Sequence, residues 1–157
     1  MPEAERQGSV GLDDDIAILA AAPVFGFLDR DALRLLSFAA ERRELADGDR
    51  LFARGDSADG GFVVMSGAVR LVPRKGKPVE AGRSALIGNL ALFVRGERPC
   101  DAFAVGRCEV MRITPTLMRR VLEEFPAAAQ AIHDAMAQDL VSFTGDLDRV
   151  RSLLGEA

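Results

Sequence analysis

Closely spaced glycines divide the middle of this chain into short apolar runs. The glycines stand at Gly48, Gly55, Gly60, Gly61 and Gly67, about every six to seven residues. The runs between them are Arg50–Phe52, Phe62–Met65 and Ala68–Val72. Short apolar runs bounded by regular turn signals are typical of strands in an antiparallel roll or sandwich. Lys75-Gly76-Lys77 predicts a hairpin tip, and two more strands are expected around Ala102–Val105 and Glu109–Ile113.

Helices are predicted on both sides of this β region. Asp13 can cap a first helix that ends at Pro23–Gly26, and Asp29 can cap a second. After the last strand, Thr114 and Pro115 form a strong helix start, because proline is favoured at the first helical position. The sequence therefore predicts an α+β fold, with a jelly-roll-like antiparallel β-roll between N-terminal helices and two C-terminal helices.

The predicted domains are a flexible terminus at residues 1–12, a β-roll with flanking helices at 13–125, and a helix at 126–157. Apolar residues of that last helix recur at steps of four and three, close to a heptad seam. The seam positions are Ile132, Met136, Leu140, Phe143, Leu147 and Val150. Such a seam predicts a homodimer, and the alternative is that the helix packs on its own β-roll.

Composition excludes several classes of function. The 157 residues are 48% hydrophobic with a net charge of −4, which favours a packed domain and argues against DNA binding. No apolar run reaches the roughly 18 residues needed to span a bilayer. Without an export signal, Cys100 and Cys108 are expected to be reduced thiols in a cytoplasmic protein. No catalytic triad or P-loop is present, so we do not expect an enzyme.

The segment Ala85–Ala102 combines a glycine turn with a returning arginine. Gly88 opens a one-turn helix signal, and backbone N–H groups at such a start bind anions. Arg98 follows a flexible tip and would add a permanent, forked positive charge. The segment therefore predicts a phosphate-holding cassette within the β-roll. The alternative for Arg98 is a surface or inter-strand salt bridge, for example to Glu97 or Asp101.

The order of these segments resembles the cyclic nucleotide-binding domain of the Crp/Fnr type over roughly residues 13–150. Leu45–Asp56 is similar to the family's opening strand-turn-strand, and Ser57–Leu71 to its next hairpin, with Gly67 at the turn. The resemblance implies a cyclic nucleotide ligand, cAMP or cGMP, and no other cofactor. It implies that the long C-terminal helix dimerises, closes over the purine and signals to a protein partner.

The same resemblance assigns roles within the cassette. Gly88 would open it, the backbone of Leu90 and Ala91 would face the cyclic phosphate, and Arg98 would pair with that phosphate. The family's ribose-binding Glu is Asn89 here, its Ser or Thr after the arginine is Pro99, and the next small residue is Cys100. The usual Pro-Gly-Asp turn appears as Arg83–Ala85, and no helix-turn-helix segment follows in these residues. Two functions therefore stay open: a nucleotide-binding regulatory domain, or a degenerate dimeric interaction module.

The two cysteines and the single histidine are candidates for other chemistry. Cys100 lies two residues from Arg98, whose charge could favour a redox-sensitive thiolate, although an inert, buried thiol is the simpler interpretation. Cys100, Cys108 and His133 lack the spacing of a metal site, and His133 is expected to be an exposed helix residue.

Overall fold

The structure, a computed structural model, describes residues 2–88 and 90–135. The helices are α1 (Pro2–Ala20), α2 (Arg30–Ala39), α3 (Pro115–Glu124) and α4, which begins at residue 126 and is described to residue 135. Short 3₁₀ turns cover Phe25–Phe27 and Leu90–Leu92. The strands are β1 (Glu41–Leu45), β2 (Arg50–Phe52), β3 (Ser57–Ala58), β4 (Gly61–Pro73), β5 (Val79–Ala81), β6 (Leu86–Ile87), β7 (Gly96–Glu97) and β8 (Cys100–Ile113).

The strands form the predicted antiparallel roll, which confirms the α+β fold class. The main sheet has the order β1-β8-β4-β5, with β2 also paired to β8 and β6 to β4. A separate two-strand ribbon joins β3 to β7, and every described pair is antiparallel. This ribbon carries the residues just before Arg98, so it brings the end of the cassette back to the roll.

The two central strands are longer than the sequence predicts. Ala68–Val72 and Phe62–Met65 belong to one continuous strand, β4, and the two strands expected after the cassette are both parts of β8. Gly67 has φ of +75° and accompanies shifts of register between Val64 and Ala68. The predicted hairpin turn at Gly67 is therefore wrong. The glycine bends a strand whose ladder with β8 continues on both sides.

Alternating residues of β4 and β8 supply two separate cores. Val63 and Met65 pack with the helices, whereas Phe62 and Val64 point into the roll. Because successive strand side chains point to opposite faces, one buried strand can serve both cores. The helical core includes Leu19, Phe25, Leu33, Leu36, Met111, Ile113, Met118 and Val121. The roll core includes Leu51, Phe52, Val69, Ile87, Ala102, Ala104 and Val110.

The helix caps largely follow the sequence. The Asp29 carboxylate accepts a hydrogen bond from Ala32 N at 2.9 Å, and the Thr114 hydroxyl accepts one from Leu117 N at 3.1 Å. Helix α1, in contrast, begins at Pro2 rather than after Asp13, which corrects the predicted start. The Glu, Ala, Arg and Gln residues at 3–7 are favourable in helices and allow this extension. Asp13 instead forms a salt bridge with Arg30 at 2.5 Å.

Helix α4 starts at the predicted residue but buries its first seam position within its own chain. Ile132 is 2% exposed and packs in the helical core. This burial corrects the assignment of Ile132 to the dimer seam, because an intramolecular contact already covers its side chain. Met136, Leu140, Phe143, Leu147 and Val150 lie outside the described residues, so the rest of the seam stays a prediction. None of the described helices has a segment long and apolar enough to cross a membrane.

Candidate anion-binding site

The predicted cassette forms a glycine turn followed by a 3₁₀ turn. Gly88 has φ of +78°, which favours glycine, and comes directly after β6. Its carbonyl oxygen accepts a hydrogen bond from Ala91 N at 3.1 Å, and this bond closes the turn. Leu90 begins the 3₁₀ turn, and Asn89 lies outside the described residues. The short helical turn after Gly88 is therefore confirmed.

A second glycine turn packs directly against the first. Gly60 N donates a hydrogen bond to Ala91 O at 3.0 Å. A Cβ atom on Gly61 would lie 3.1 Å from the Gly88 carbonyl oxygen, so the two backbones approach closely. Sequence reasoning treated Gly60 and Gly61 only as a break between strands. The adjacent glycine pair was a signal for close backbone contact, but nothing local identified its partner.

The backbone of Arg98 is held on both sides by the turn between β2 and β3. Arg98 N donates to Asp56 O at 2.8 Å, and Arg98 O accepts from Gly55 N at 2.9 Å. The Asp56 carboxylate in turn accepts from Ala53 N at 2.9 Å, which tightens the same turn. These bonds determine where the arginine side chain leaves the backbone.

The Arg98 side chain runs inward and ends between the two glycine turns. The residue is 5% exposed, and its Nη2 donates to Gly60 O at 2.9 Å. A Cβ atom on Gly88 would lie 2.7 Å from Arg98 Nη1, so a side chain there would displace the guanidinium from this position. Among the described residues, no carboxylate lies within salt-bridge distance of Arg98. The alternative of a surface or inter-strand salt bridge, for example to Glu97 or Asp101, is therefore wrong for the described residues.

Two phenylalanine rings from different strands lie next to each other against the Arg98 guanidinium. Its Cζ lies 4.6 Å from the ring centroid of Phe52 in β2 and 5.3 Å from that of Phe62 in β4. The two ring centroids are 6.1 Å apart, with an angle of 30° between the ring planes. Both distances from Cζ lie within the range of cation–π attraction. Sequence reasoning did not assign either ring to the site, because each occupies an ordinary apolar strand position.

The surroundings of Arg98 disfavour its charge. Burial, followed by the positive charge of Arg112, lowers the pKa of the Arg98 guanidinium, whereas Asp59 and Asp56 oppose this shift. Arg112 lies close because its Nη2 donates to Asp59 O at 3.1 Å, one residue before the Gly60 carbonyl that Arg98 uses. A bound anion would offset both unfavourable effects. The site therefore holds a buried cation whose direct described hydrogen-bond partner is a neutral carbonyl.

The remaining predicted site residues differ in how they could contribute. Ala91 is buried, and its N–H and C=O are both engaged within the protein. Pro99 is exposed next to Arg98, and Cys100 is partly buried at the start of β8. Gly88, Ala91 and Arg98 are thus brought together. The phosphate contact expected from the Ala91 N–H has to share that donor with Gly88 O.

The surroundings of Cys100 do not favour a thiolate. Burial and then Asp101 raise its pKa, and the opposing effect of Arg98 is smaller. We therefore expect iodoacetamide to alkylate Cys100 more slowly in the folded protein than in the urea-unfolded protein at about pH 8, where the thiolate reacts. Mass spectrometry of peptides that contain Cys100 or Cys108 would measure the alkylation rate of each thiol in the folded and in the unfolded protein. An equal or faster rate in the folded protein would restore the redox interpretation.

Metal chemistry finds no support in the part of the chain that is described. No cluster of three or more potential metal ligands occurs there. The His133 side chain is exposed, as predicted, and lies 3.8 Å from an Asp134 carboxylate oxygen.

The cassette also contacts the C-terminal helices. Leu92 is buried in the helical core with Leu117 and Met118. The next residue, Phe93, lines an apolar cavity of about 440 Å³ together with Leu122 and Pro126. The 3₁₀ turn thus has Ala91 facing the two glycine turns and Leu92 facing the helices. A shift of this turn would therefore change the contacts of Ala91 with the glycine turns and the contacts of Leu92 with the helices.

Comparison with known proteins agrees with this architecture. Residues 42–125 match the family model of the cyclic nucleotide-binding domain. A cyclic nucleotide-binding-like protein from Brucella abortus is 36% identical, with a TM-score of 0.62, over 70% of this chain and 98% of that one. The N-terminal domain of a transcriptional regulator from Streptomyces coelicolor is 29% identical, with a TM-score of 0.75, over 83% and 94%.

A curated relative is much longer than this chain. The cAMP-dependent protein kinase regulatory subunit of Yarrowia lipolytica is 23% identical over 128 residues, which are 80% of this chain and 34% of that protein. The chain spans about a third or less of the length of the first curated relatives that it matches.

Proposed function

Since this chain belongs to the cyclic nucleotide-binding domain family, we propose that it binds cAMP or cGMP and passes the binding event to a protein partner through its C-terminal helices. The cyclic phosphate would lie at Arg98 beside the Gly88 turn. The base and ribose would extend along the roll, where Asn89 replaces the glutamate that the family resemblance assigns to the ribose.

The observation that carries this proposal is the buried Arg98 guanidinium without a described carboxylate partner. Burying an unpaired charge is costly, and proteins usually pair such a charge or use it in function. A cyclic phosphate has the single negative charge and the oxygen acceptors that a guanidinium fork matches. The absence of a side chain at Gly88 leaves space beside Arg98 Nη1, whereas the hydrogen bond to the Gly60 carbonyl is made by Nη2.

The expected affinity is lower than that of a site with all the family's contacts. Replacing a charged acceptor by Asn89 weakens the ribose contact by about tenfold, and the missing hydroxyl and N–H at Pro99 cost a similar factor. The combined loss is about 100-fold. Asn89 can still accept a hydrogen bond from the ribose 2′-hydroxyl, and its neutral side chain places no carboxylate beside the phosphate.

The route to the helices would run through the 3₁₀ turn Leu90–Leu92. Phosphate binding would pull on the turn beside Gly88, and Ala91 is bonded to both glycine turns. Leu92 and Phe93 continue directly into the contacts of α3 and α4. A displacement of the turn would therefore change how these two helices pack.

Calorimetric titration with cAMP and with cGMP tests the proposal directly. We expect heat of binding and a rise in melting temperature at ligand concentrations of up to about 1 mM. Absence of both effects for both nucleotides would reject nucleotide binding. The non-cyclic 5′-AMP serves as a control for nonspecific association with the arginine.

Substitution of Gly88 tests whether the space beside the guanidinium matters. A Gly88→Ala side chain would displace Arg98 Nη1, and we expect nucleotide affinity to fall by about tenfold. Gly48→Ala is a matched control, since Gly48 also has a positive φ but a Cβ atom on it would meet nothing within 4 Å. Both changes should cost about 1–2 kcal/mol of folding free energy through backbone strain. Equal affinities of the two variants would argue against the assigned phosphate position.

The alternative proposal is a degenerate domain that acts as a dimeric interaction module without nucleotide. It is favoured by Pro99, which offers no donor, and by the Ala91 N–H, which already donates to Gly88 O. Under this alternative Arg98 has only a structural role, and its replacement leaves partner binding unchanged.

The proposed homodimer applies to both alternatives and rests on the seam positions after residue 135. We expect sedimentation of the unmodified chain to give a dimer and Leu140→Asp to give a monomer, because the substitution would place a charge within the apolar seam. Leu140→Met keeps the apolar character and should keep the dimer. A monomeric unmodified chain would reject the seam.

A further inference from the structure

We infer that Phe52 and Phe62 act as positioning residues, an aromatic clamp that holds the Arg98 guanidinium in the orientation needed to receive a phosphate. The inference rests on the proposed nucleotide function and extends it to two residues outside the cassette. "Aromatic clamp" refers below to these two rings.

The two rings restrict the Arg98 side chain in addition to its hydrogen bond. A guanidinium held only by Nη2 at Gly60 O could rotate about that contact. Rings at 4.6 and 5.3 Å from Cζ limit this freedom, because the guanidinium keeps its attraction to both rings only while Cζ stays close to both of them. The backbone bonds of Arg98 to Gly55 and Asp56 complete the restriction.

The clamp also explains how a cation can remain buried here before an anion arrives. Each ring presents the negative face of its quadrupole to a nearby cation. Phe52 and Phe62 are themselves buried in the roll core, so this attraction is not weakened by water. An aliphatic side chain would fill the same space without attracting the charge. The expected benefit for binding is a guanidinium that is already oriented, so that ordering it costs less on association.

Other side-chain clusters among the described residues give weaker evidence for a role in ligand binding. Arg43 lies 5.9 Å from the Phe62 centroid but is already paired with Glu41, and Arg112 is satisfied by Asp59 O and Glu41. The cavity lined by Phe93 belongs to the proposed route to the helices. The clamp is therefore the feature whose geometry points to a definite role in ligand binding.

The test uses Phe52→Leu and Phe62→Leu with two independent measurements. The first is the Nε–Hε NMR resonance of Arg98, assigned by its disappearance in Arg98→Lys. In the unmodified protein we expect the ring currents to move the chemical shift of this resonance away from that of an exposed arginine. In each Leu variant we expect the chemical shift to move back toward that of an exposed arginine. This readout requires no ligand.

The second measurement is nucleotide affinity by calorimetry. Loss of one cation–π contact should weaken binding between about twofold and thirtyfold. Phe25→Leu is the matched control, because Phe25 is fully buried in the helical core, whereas Phe52 and Phe62 belong to the roll core. It should lower the melting temperature while the affinity and the Arg98 resonance stay unchanged. All titrations are made well below the melting temperature of the least stable variant.

The outcomes separate failure of the clamp from failure of the proposed function. An undisplaced Arg98 resonance, or unchanged affinity in both Leu variants, overturns the clamp while nucleotide binding by the unmodified chain stands. A displaced resonance without any nucleotide binding rejects the proposed function, and with it a positioning role for the rings. Displacement together with weaker binding in the Leu variants, but not in Phe25→Leu, supports the clamp.

Discussion

Arg98→Met is expected to weaken cyclic nucleotide binding by about 100-fold or more, while the ligand-free protein keeps its fold. The guanidinium would supply at least two charge-assisted hydrogen bonds to the phosphate, each contributing about 1.5–3 kcal/mol. Methionine is of similar length and has no charge, so it removes those donors and still fills the space beside Phe52 and Phe62. Calorimetry with cAMP and cGMP measures the loss.

The folding effect of the same change distinguishes this site from an ordinary salt bridge. Breaking a buried ion pair typically costs about 3–5 kcal/mol, because the remaining charge is left unpaired. Arg98 has no described carboxylate partner, and its charge is disfavoured by burial, so Arg98→Met leaves only the Gly60 carbonyl without its donor. We expect the free energy of unfolding in urea to change by less than about 2 kcal/mol.

A matched substitution controls for the general effect of removing an arginine. Arg70→Met removes an exposed arginine of β4 whose nearest carboxylate oxygen is 3.9 Å away. It should leave nucleotide affinity unchanged. If Arg98→Met instead lowers stability by more than about 4 kcal/mol and binding was never detectable, Arg98 has a structural role and the degenerate alternative is favoured.

Gly67→Ala is expected to destabilise the domain by about 3–5 kcal/mol, which is a large fraction of the stability of a small domain. A Cβ atom there would lie 2.3 Å from Arg107 O and 3.0 Å from Cys108 Cα, both in the backbone of β8. Neither can move without distorting the ladder between β4 and β8. The left-handed φ of +75° adds about 1–2 kcal/mol for any residue with a Cβ.

Gly106→Ala provides the control from the facing strand. Gly106 also has a positive φ, +68°, but a Cβ on it would meet no atom within 4 Å. It should therefore cost only the backbone strain of about 1–2 kcal/mol. Urea unfolding of both variants measures the difference. Equal costs would mean that the close contact at Gly67 relaxes freely, contrary to a rigid pairing of β4 with β8.

Local sequence signals predicted most of the fold because their physical causes are local. Asp29 and Thr114 cap helices through bonds to residues three positions later, so the chain around each determines the cap. Gly67 was predicted to be a turn and is a bend within β4. A positive φ is compatible both with a hairpin turn and with a bend within a strand. Only the pairing of β4 with β8 across the sheet decides between the two.

The candidate site was predicted only in part, for a similar reason. Gly88 and Arg98 were identified because they lie within one segment of the chain. Gly60 was not, since it lies 38 residues from Arg98 in the sequence, and the two rings of the aromatic clamp are similarly distant. Burial also decided between the two interpretations of Cys100 in favour of the inert thiol, because desolvation affects its pKa more than the neighbouring Arg98 does.

The sequence by itself determined an antiparallel roll with flanking helices, the starts of α2, α3 and α4, and a cassette containing a glycine turn and an arginine. These properties follow from side-chain periodicity, capping and turn residues, which act over a few positions. The tertiary structure alone decided that Arg98 is buried between two glycine turns and two phenylalanine rings. That arrangement depends on strands β2 and β4 meeting the cassette in space, and no local pattern encodes which distant backbone or ring will face a given side chain.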